Sequence, residues 1–380
     1  MSFQVKTKIL ECASISNFLN EWGIGADDLL ITNEYVIEPH LNGIAVPCDI
    51  LYQEQYGMGE PTDEMVDKML QAVCNKDYKR VIGLGGGTVL DIAKLFVFGA
   101  GISCDEIFEQ GHKLQKRREL IAIPTTCGTG SEVTMISIIQ FIEKNTKLGL
   151  ATPALYPDEA VLIPRLLSTM PYEVFATGSI DALIHSVESL VSPKATSFSK
   201  AMAYASIQMI LKGYQKLKVS GSHKLPDEEQ LKHFLVASTL GGIAFGNAGV
   251  GAVHALSYPV GAIYHVPHGM ANYMFFAGVF AAYKEMGADL NEVESILMTS
   301  LDCLKENVWN ALFELLQFVL PCKRLQDLGV TKADCIEMAD SVVKNQQRLL
   351  VNNPIVLPQK KIEEIYLRQG DFSFSEKSCI

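Results

Sequence analysis

Two fold classes in series are what this sequence predicts: an α/β domain over residues 1–169, then a mainly helical, all-α domain over residues 170–380. Three observations carry that expectation. The first half alternates short β-like runs with helical patterns, as parallel strands and their crossover helices do. From about Met170 onward the alternation stops, and long apolar-periodic segments follow one another between Gly- and Pro-marked turns. Finally, 380 residues with 48% hydrophobic content exceed the needs of one small domain.

Taken in order, "DLLITN" (28–33) and "DILYQE" (49–54) are strand candidates. "EPTDEMVDKMLQAV" enters a helix through Pro61, Thr62 and Asp63, with Val66, Met69, Leu70 and Val73 on its buried face. "RVIGL" (80–84) is the next strand, followed at once by Gly85-Gly86-Gly87-Thr88 and the helix "VLDIAKLFVFG". "LIAIP" (120–124) runs into "TTCGTGSEVT"; "ISIIQFI" and "KLGLATP" pair as a hairpin, and "EAVLIP" (159–164) closes the region. The tail after Gly370 is expected to be loosely ordered.

The bulk numbers exclude several function classes. A net charge of −11 and a pI near 5.3 leave no basic stripe for nucleic acid. Nine scattered cysteines without a C-x-x-C pair read as free thiols in a reducing compartment. The N-terminus lacks the build of a signal peptide, and no uninterrupted apolar run reaches the roughly 18 residues of a membrane span. The expectation is a cytoplasmic protein acting on a small molecule, with neither nucleic acid nor membrane as partner.

Two loops carry the first chemistry. Three glycines between a strand and a helix let the backbone approach an anion, and the helix N-terminus offers free N–H groups. The turn is not G-x-G-x-x-G, and on its own it also reads as a tight turn without a ligand. A second loop, "PTTCGTGSE" (124–132), is rich in hydroxyls and glycine and also follows a strand. Two such loops at the carboxyl ends of parallel strands converge on one crevice, and the ligand implied is a nucleotide with a pyrophosphate.

The second chemistry sits on "GSIDALIHSVESLVS" (178–192). Ile180, Ile184, Val187 and Val191 follow the helical period, while Asp181, His185 and Glu188 share another face. An unpaired carboxylate in so apolar a helix is costly unless it binds a cation. "GVGAVHALSYPVGAIYHVPHG" (249–269) adds His254, His265 and His268. One carboxylate with two or three imidazoles is an ordinary ligand set for a divalent transition metal; the bland alternative is a local ion pair and hydrogen-bonded core histidines.

"GGGTVLDIAK", "PTTCGTGSEVT", "GSIDALIHSVES" and "VHALSYPVGAIYHVPHG" together resemble the motifs of the iron-containing (group III) alcohol dehydrogenase family, in order and spacing over nearly the whole chain. Within that family, residues 242–261 and 345–354 are most similar to the 4-hydroxybutyrate dehydrogenases. The resemblance implies a dinucleotide-binding α/β domain, a helical metal-binding domain, and an active site in the cleft between them. Asp181, His185, His254 and His268 match the four metal ligands, through which the chain is catalytic. Gly86, Gly87 and Thr88 match the pyrophosphate turn, with Asp91 just behind; Thr125 and Thr126 match the second cofactor loop, and Lys147 and Leu166 the ribose and nicotinamide lining. The implied cofactors are NAD, with NADP the alternative, and Fe²⁺, with Zn²⁺ the alternative. A homodimer or higher homo-oligomer is implied as well.

Two positions depart from the family. Where many members carry an aspartate just after the first strand, this chain has Asn33, which bonds a ribose hydroxyl but repels no 2′-phosphate. Where many have a histidine four residues after the third ligand, it has Tyr258, a poor proton relay near neutral pH. Tyr258, His265 and Arg348 are the substrate-site candidates: Tyr258 to orient the substrate, His265 as proton path or wall, Arg348 (with Lys344 and Asn247) for a substrate carboxylate. Glu188 is the candidate acceptor for a ligand histidine. The expected reaction converts 4-hydroxybutyrate and NAD⁺ to succinate semialdehyde and NADH. The alternative is a general short-chain alcohol, diol or aldehyde dehydrogenase/reductase of the same family.

Overall fold

Alternating strands and helices in the first half build one parallel sheet. In the computed structural model, which describes residues 2–144 and 146–371, its strands are β1 (Lys8–Glu11), β2 (Asp28–Thr32), β3 (Asp49–Tyr52), β4 (Arg80–Gly85), β5 (Glu119–Pro124) and, after a two-stranded antiparallel hairpin of β6 (Ile136–Phe141) and β7 (Thr146–Ala151), β8 (Glu159–Leu162). The six-stranded order is β1-β8-β5-β4-β2-β3, parallel throughout. Helices α1 (Ile15–Glu21), α2 (Glu34–Leu41), α3 (Asp63–Ala72), α4 (Gly87–Leu95) and α5 (Cys104–Gln110) connect the strands.

Strand pleating divides the apolar residues between two cores. Leu29, Ile31, Val81 and Leu120 face one, with α3, α4 and α5; Leu30, Ile82, Ile121 and Ile123 face the other, with α1 and α2. The edge strand β1, four residues "KILE" of which three are exposed, carried no readable alternation. Its presence moves Asn33: expected after the first strand, it follows the second.

The helical half comprises α6 (Tyr172–Val191), α7 (Ser197–Ser220), α8 (Glu228–Ala248), α9 (Ala252–Tyr264), α10 (His268–Glu285), α11 (Asn291–Leu301), α12 (Val308–Val319), α13 (Lys332–Asn345), α14 (Gln347–Leu350) and α15 (Gln359–Asp371). Residues 372–380, nearly all of the tail expected to be loose, lie outside the described residues. The chain divides into two compact units: Gln4–Pro171 with Leu225–Gly242, and Tyr172–Lys224 with the chain from Ile243 onward. Residues 225–242 therefore join the sheet unit and not the helical half that a boundary at 170 gives them. The reason is local: a Cβ on Gly242 would lie 2.7 Å from the Gly130 carbonyl, and Thr239 donates 2.7 Å to the buried Glu132 carboxylate. α6 has the length and apolarity of a membrane span, yet 78% of that window is buried inside the protein, as expected of a core helix.

Candidate metal centre and nucleotide turn

In the sheet unit, the two loops read from the sequence do meet. β4 ends at Gly85 and α4 begins at Gly87, with Gly86 as N-cap and no side chain capping the helix. The first-turn N–H groups are thus left for an anion. A Cβ on Gly87 would come within 2.7 Å of Thr129 Cγ2, and one on Gly86 within 3.4 Å of Thr126 Cγ2. Glycine is what lets the "GGGT" and "PTTCGTG" loops pack side by side.

Behind the turn, Asp91 is a brace. Its carboxylate accepts from Ser131 Oγ at 2.5 Å and from the Ile138 N–H at 2.9 Å. Lys94, fully buried, donates to Ser131 Oγ and the Ile136 carbonyl, both at 2.6 Å, and to Thr134 Oγ1 at 3.1 Å. Burial pushes the Lys94 ammonium below its ordinary range, opposed by Asp91 and Glu132. These bonds tie α4 to the second loop and hold both loops in register.

Other expected cofactor residues fall in different settings. Thr88 donates to the Gly59 carbonyl at 3.2 Å, Thr125 is buried, and Thr126 is half-buried. Lys147 forms an ion pair with Glu60, and Leu166 packs in the core beside α1 and α2. Cys127 is buried and its thiol pushed up to about 12 by that burial, which suits a packing residue.

In the helical unit, α6 presents Asp181 and His185 one turn apart, the first turn of α9 presents His254, and α10 starts at His268. One ligand atom from each of the four lies within 4.8 Å of the others. Three of the four are buried and His268 is half-buried. Asp181 Oδ2 is 3.9 Å from His185 Nε2, and Oδ1 is 3.7 Å from His254 Nε2, separations too long for hydrogen bonds. They suit donors that share a cation with bonds of about 2 Å.

The surroundings arm this cluster. Glu188, on α6, accepts from His254 Nδ1 at 2.6 Å and from the Val253 N–H at 2.7 Å. A carboxylate only accepts, so Nδ1 carries the proton and Nε2 turns its lone pair toward the cluster. That Nε2 is buried and has no hydrogen-bond partner in the protein, the position of a ligand atom. Asn272, missed in the sequence, is fully buried and donates to Asp181 Oδ1 at 2.6 Å. Its place one turn after His268 was the only signal for it. Burial would raise the Asp181 carboxyl, but the imidazoles of His185, His268 and His254 and the Asn272 amide together hold it below its ordinary range. Gly269 lets α10 approach α6, since a Cβ there would sit 2.4 Å from the Thr177 carbonyl.

The substrate candidates are less concentrated. The Tyr258 ring, almost wholly buried in α9, has its centroid 6.1 Å from that of His268. Phe245, not anticipated, stacks on His185 at 4.3 Å. His265 is an exposed left-handed C-cap of α9 with φ 54°. Arg348 and Lys344 are exposed on α14 and α13, and the Asn247 amide donates to the Ile243 carbonyl of its own helix. Ring contacts set Tyr258 beside His268 and Phe245 on His185.

Comparison with known proteins decides the family. Residues 13–164 match iron-containing alcohol dehydrogenase, and residues 175–370 match the C-terminal part of the Fe-containing alcohol dehydrogenase family. The chain belongs to this family. It is 41% identical over 338 residues to a 4-hydroxybutyrate dehydrogenase of Clostridium kluyveri, covering 88% of this chain and 91% of that one. It is 34% identical over 333 residues to the probable alcohol dehydrogenase EutG of Escherichia coli, covering 86% and 80%. Among solved structures, the iron-containing alcohol dehydrogenase of Thermococcus thioreducens superposes with a TM-score of 0.81 at 26% identity, covering 98% of this chain and 100% of that chain. Sulfoacetaldehyde reductase of Bifidobacterium kashiwanohense, in complex with NAD⁺, reaches 0.83 at 20% identity over 98% and 99%, which speaks for the fold alone. This family member is an oxidoreductase of the alcohol dehydrogenase type acting on a small molecule.

Proposed function

We propose that this family member is an NAD-dependent 4-hydroxybutyrate dehydrogenase, interconverting 4-hydroxybutyrate and succinate semialdehyde. The observation that carries this reading is 41% identity across nearly the full length of a relative with that activity. The Asp181, His185, His254 and His268 cluster supports it, its donors lying within 4.8 Å of one another as a shared cation needs. Cytoplasmic residence, supported by the free thiols of the eight described cysteines, and a homo-oligomeric assembly complete the reading.

When bound, the divalent cation supplies Lewis acidity and the nicotinamide takes up hydride. Asp181, His185, His254 and His268 hold the cation; Fe²⁺ agrees with the family name, and the same donors suit Zn²⁺. Glu188 keeps His254 in the tautomer that offers Nε2, and Asn272 orients Asp181. Gly86, Gly87 and Thr88 would present backbone N–H groups to the pyrophosphate, and Thr125 and Thr126 would help hold the cofactor from the second loop. Tyr258 orients the substrate beside His268. Arg348 is the candidate partner of the substrate carboxylate.

The test is NADH formation by iron-loaded enzyme with 4-hydroxybutyrate, 1-butanol and 1,4-butanediol. A kcat/KM at least about tenfold higher for the carboxylate supports the proposal. Equal rates leave a general alcohol dehydrogenase, a reading that EutG at 34% identity favours. Arg348→Ala is expected to raise KM for 4-hydroxybutyrate about tenfold and leave KM for 1-butanol alone. Equal effects on both remove Arg348 from the site.

A further inference from the structure

Asn33 carries no charge, and on its own it predicts only a weak preference between the two nicotinamide dinucleotides. The structure adds a charge from the neighbouring strand. β3 pairs with β2 in parallel, Thr32 opposite Tyr52, so the residues just beyond both strands lie side by side. Asn33 Nδ2 donates to Gln53 Oε1 and to Glu54 Oε2, each at 2.9 Å. The Glu34 N–H donates to Glu54 Oε1 at 2.6 Å. Glu54 thereby stands fixed at the carboxyl end of β2, with its two oxygens held by two different groups.

Resting on the dinucleotide reading above, we infer that Glu54 is the specificity-determining residue that selects a 2′-hydroxyl over a 2′-phosphate on the adenosine ribose. β2 lies next to β4, whose carboxyl end opens into the "GGGT" turn. A pyrophosphate on that turn sends one nucleoside over β5 and β8 and the other over β2 and β3. Each Glu54 oxygen accepts one of these hydrogen bonds and keeps a further lone pair, the pair of acceptors a vicinal diol needs. A 2′-phosphate, carrying nearly two negative charges, meets a carboxylate that cannot swing away. The stretch that builds β2, α2, β3 and the loop after it contributes no counter-charge, since the chain has no Lys or Arg between Lys8 and Lys68. Lys147, which reaches that loop, is paired with Glu60. Gln53 locks the arrangement, donating 2.7 Å to the Gly57 carbonyl while its Oε1 receives Asn33.

The experiment compares kcat/KM for NAD and NADP in wild type, Glu54→Gln and Glu54→Arg, with circular dichroism as a folding control. Wild type is expected to favour NAD by about 100-fold or more. Glu54→Gln is expected to shrink that ratio about tenfold, mainly through KM for NADP, and Glu54→Arg further still. A wild type that uses NADP as well as NAD overturns the inference, and so does an unchanged ratio in a folded Glu54→Gln. Should the variants fail to fold, competition on wild type decides: 5′-AMP displaces NADH and 2′,5′-ADP does not, and equal displacement by the two overturns the inference. A wild type whose fluorescence titration shows no NADH binding sinks the dinucleotide reading itself, a result distinct from either.

Discussion

The candidate nucleotide turn in the sheet unit and the candidate metal tetrad in the helical unit are built on opposite principles. The turn works through absent side chains. Gly86 and Gly87 leave backbone N–H groups and space, and strand end, turn and helix start lie within a few residues of one another, although the Asp91 and Lys94 brace behind them reaches residues about 40 positions on. The tetrad works through side chains that α6, α9 and α10 bring in from positions up to 87 residues apart (268 minus 181). A backbone cradle tolerates graded damage, because several N–H groups share one anion. A cation held by four donors loses its site with any one of them. The contrast teaches where the protein is brittle.

The largest effect tests that brittleness directly. Asp181→Ala is expected to lower kcat/KM by about 1,000-fold or more and to abolish bound metal by elemental analysis. Metal content near wild type would remove the carboxylate from the ligand set. One layer out, Glu188→Gln leaves a hydrogen-bonding group beside His254 but frees its tautomer. Its expected signature is a 10–100-fold weaker metal affinity in a chelator competition, at unchanged ligand count. An affinity equal to wild type would make the 2.6 Å contact incidental.

Gly87→Ala probes the gentler side. Its methyl would press on Thr129 at 2.7 Å, so the second loop shifts, and the dissociation constant for NADH should rise about tenfold while metal content stays put. A loss as deep as that of Asp181→Ala would break the contrast. The smallest effect concerns acid stability of the helical unit. Arg368 first, then Lys361, hold the Glu285 carboxyl below its ordinary value of 4.5, joining α10 to α15. A depressed carboxyl stabilises the folded state above the unfolded value and loses that contribution as pH falls through the folded one. The pair is largely exposed, so Glu285→Gln should cost only about 0.5 kcal/mol near neutrality, read as a Tm shift that vanishes toward pH 3.

Local patterns were legible. The strand–Gly–Gly–Gly–Thr–helix run and the Asp181/His185 spacing each lie within one or two turns of chain, where periodicity and backbone sterics decide the outcome. The short edge strand β1 was not, since four half-polar residues carry no period. Nor did the sequence disclose that residues 225–242 pack with the sheet unit, a consequence of two glycines, 130 and 242, far apart in the chain and close in space.

Chain order and residue chemistry alone therefore pointed to the two fold classes, a phosphate-type turn and a carboxylate-imidazole cluster, while the resemblance to a known family selected Asp181, His185, His254 and His268 from the candidates. Tertiary structure alone decided which groups complete them. Glu188, already the sequence's candidate acceptor, finds His254 as its partner. Asn272 steering the acid, Asp91 and Lys94 binding loop to helix, and Glu54 bringing a charge to a strand end whose own residue has none are seen only in the fold. The physical reason is range. Hydrophobic period and glycine geometry act over a few bonds, whereas a hydrogen bond between side chains from different elements exists only after packing has brought their atoms within about 3 Å.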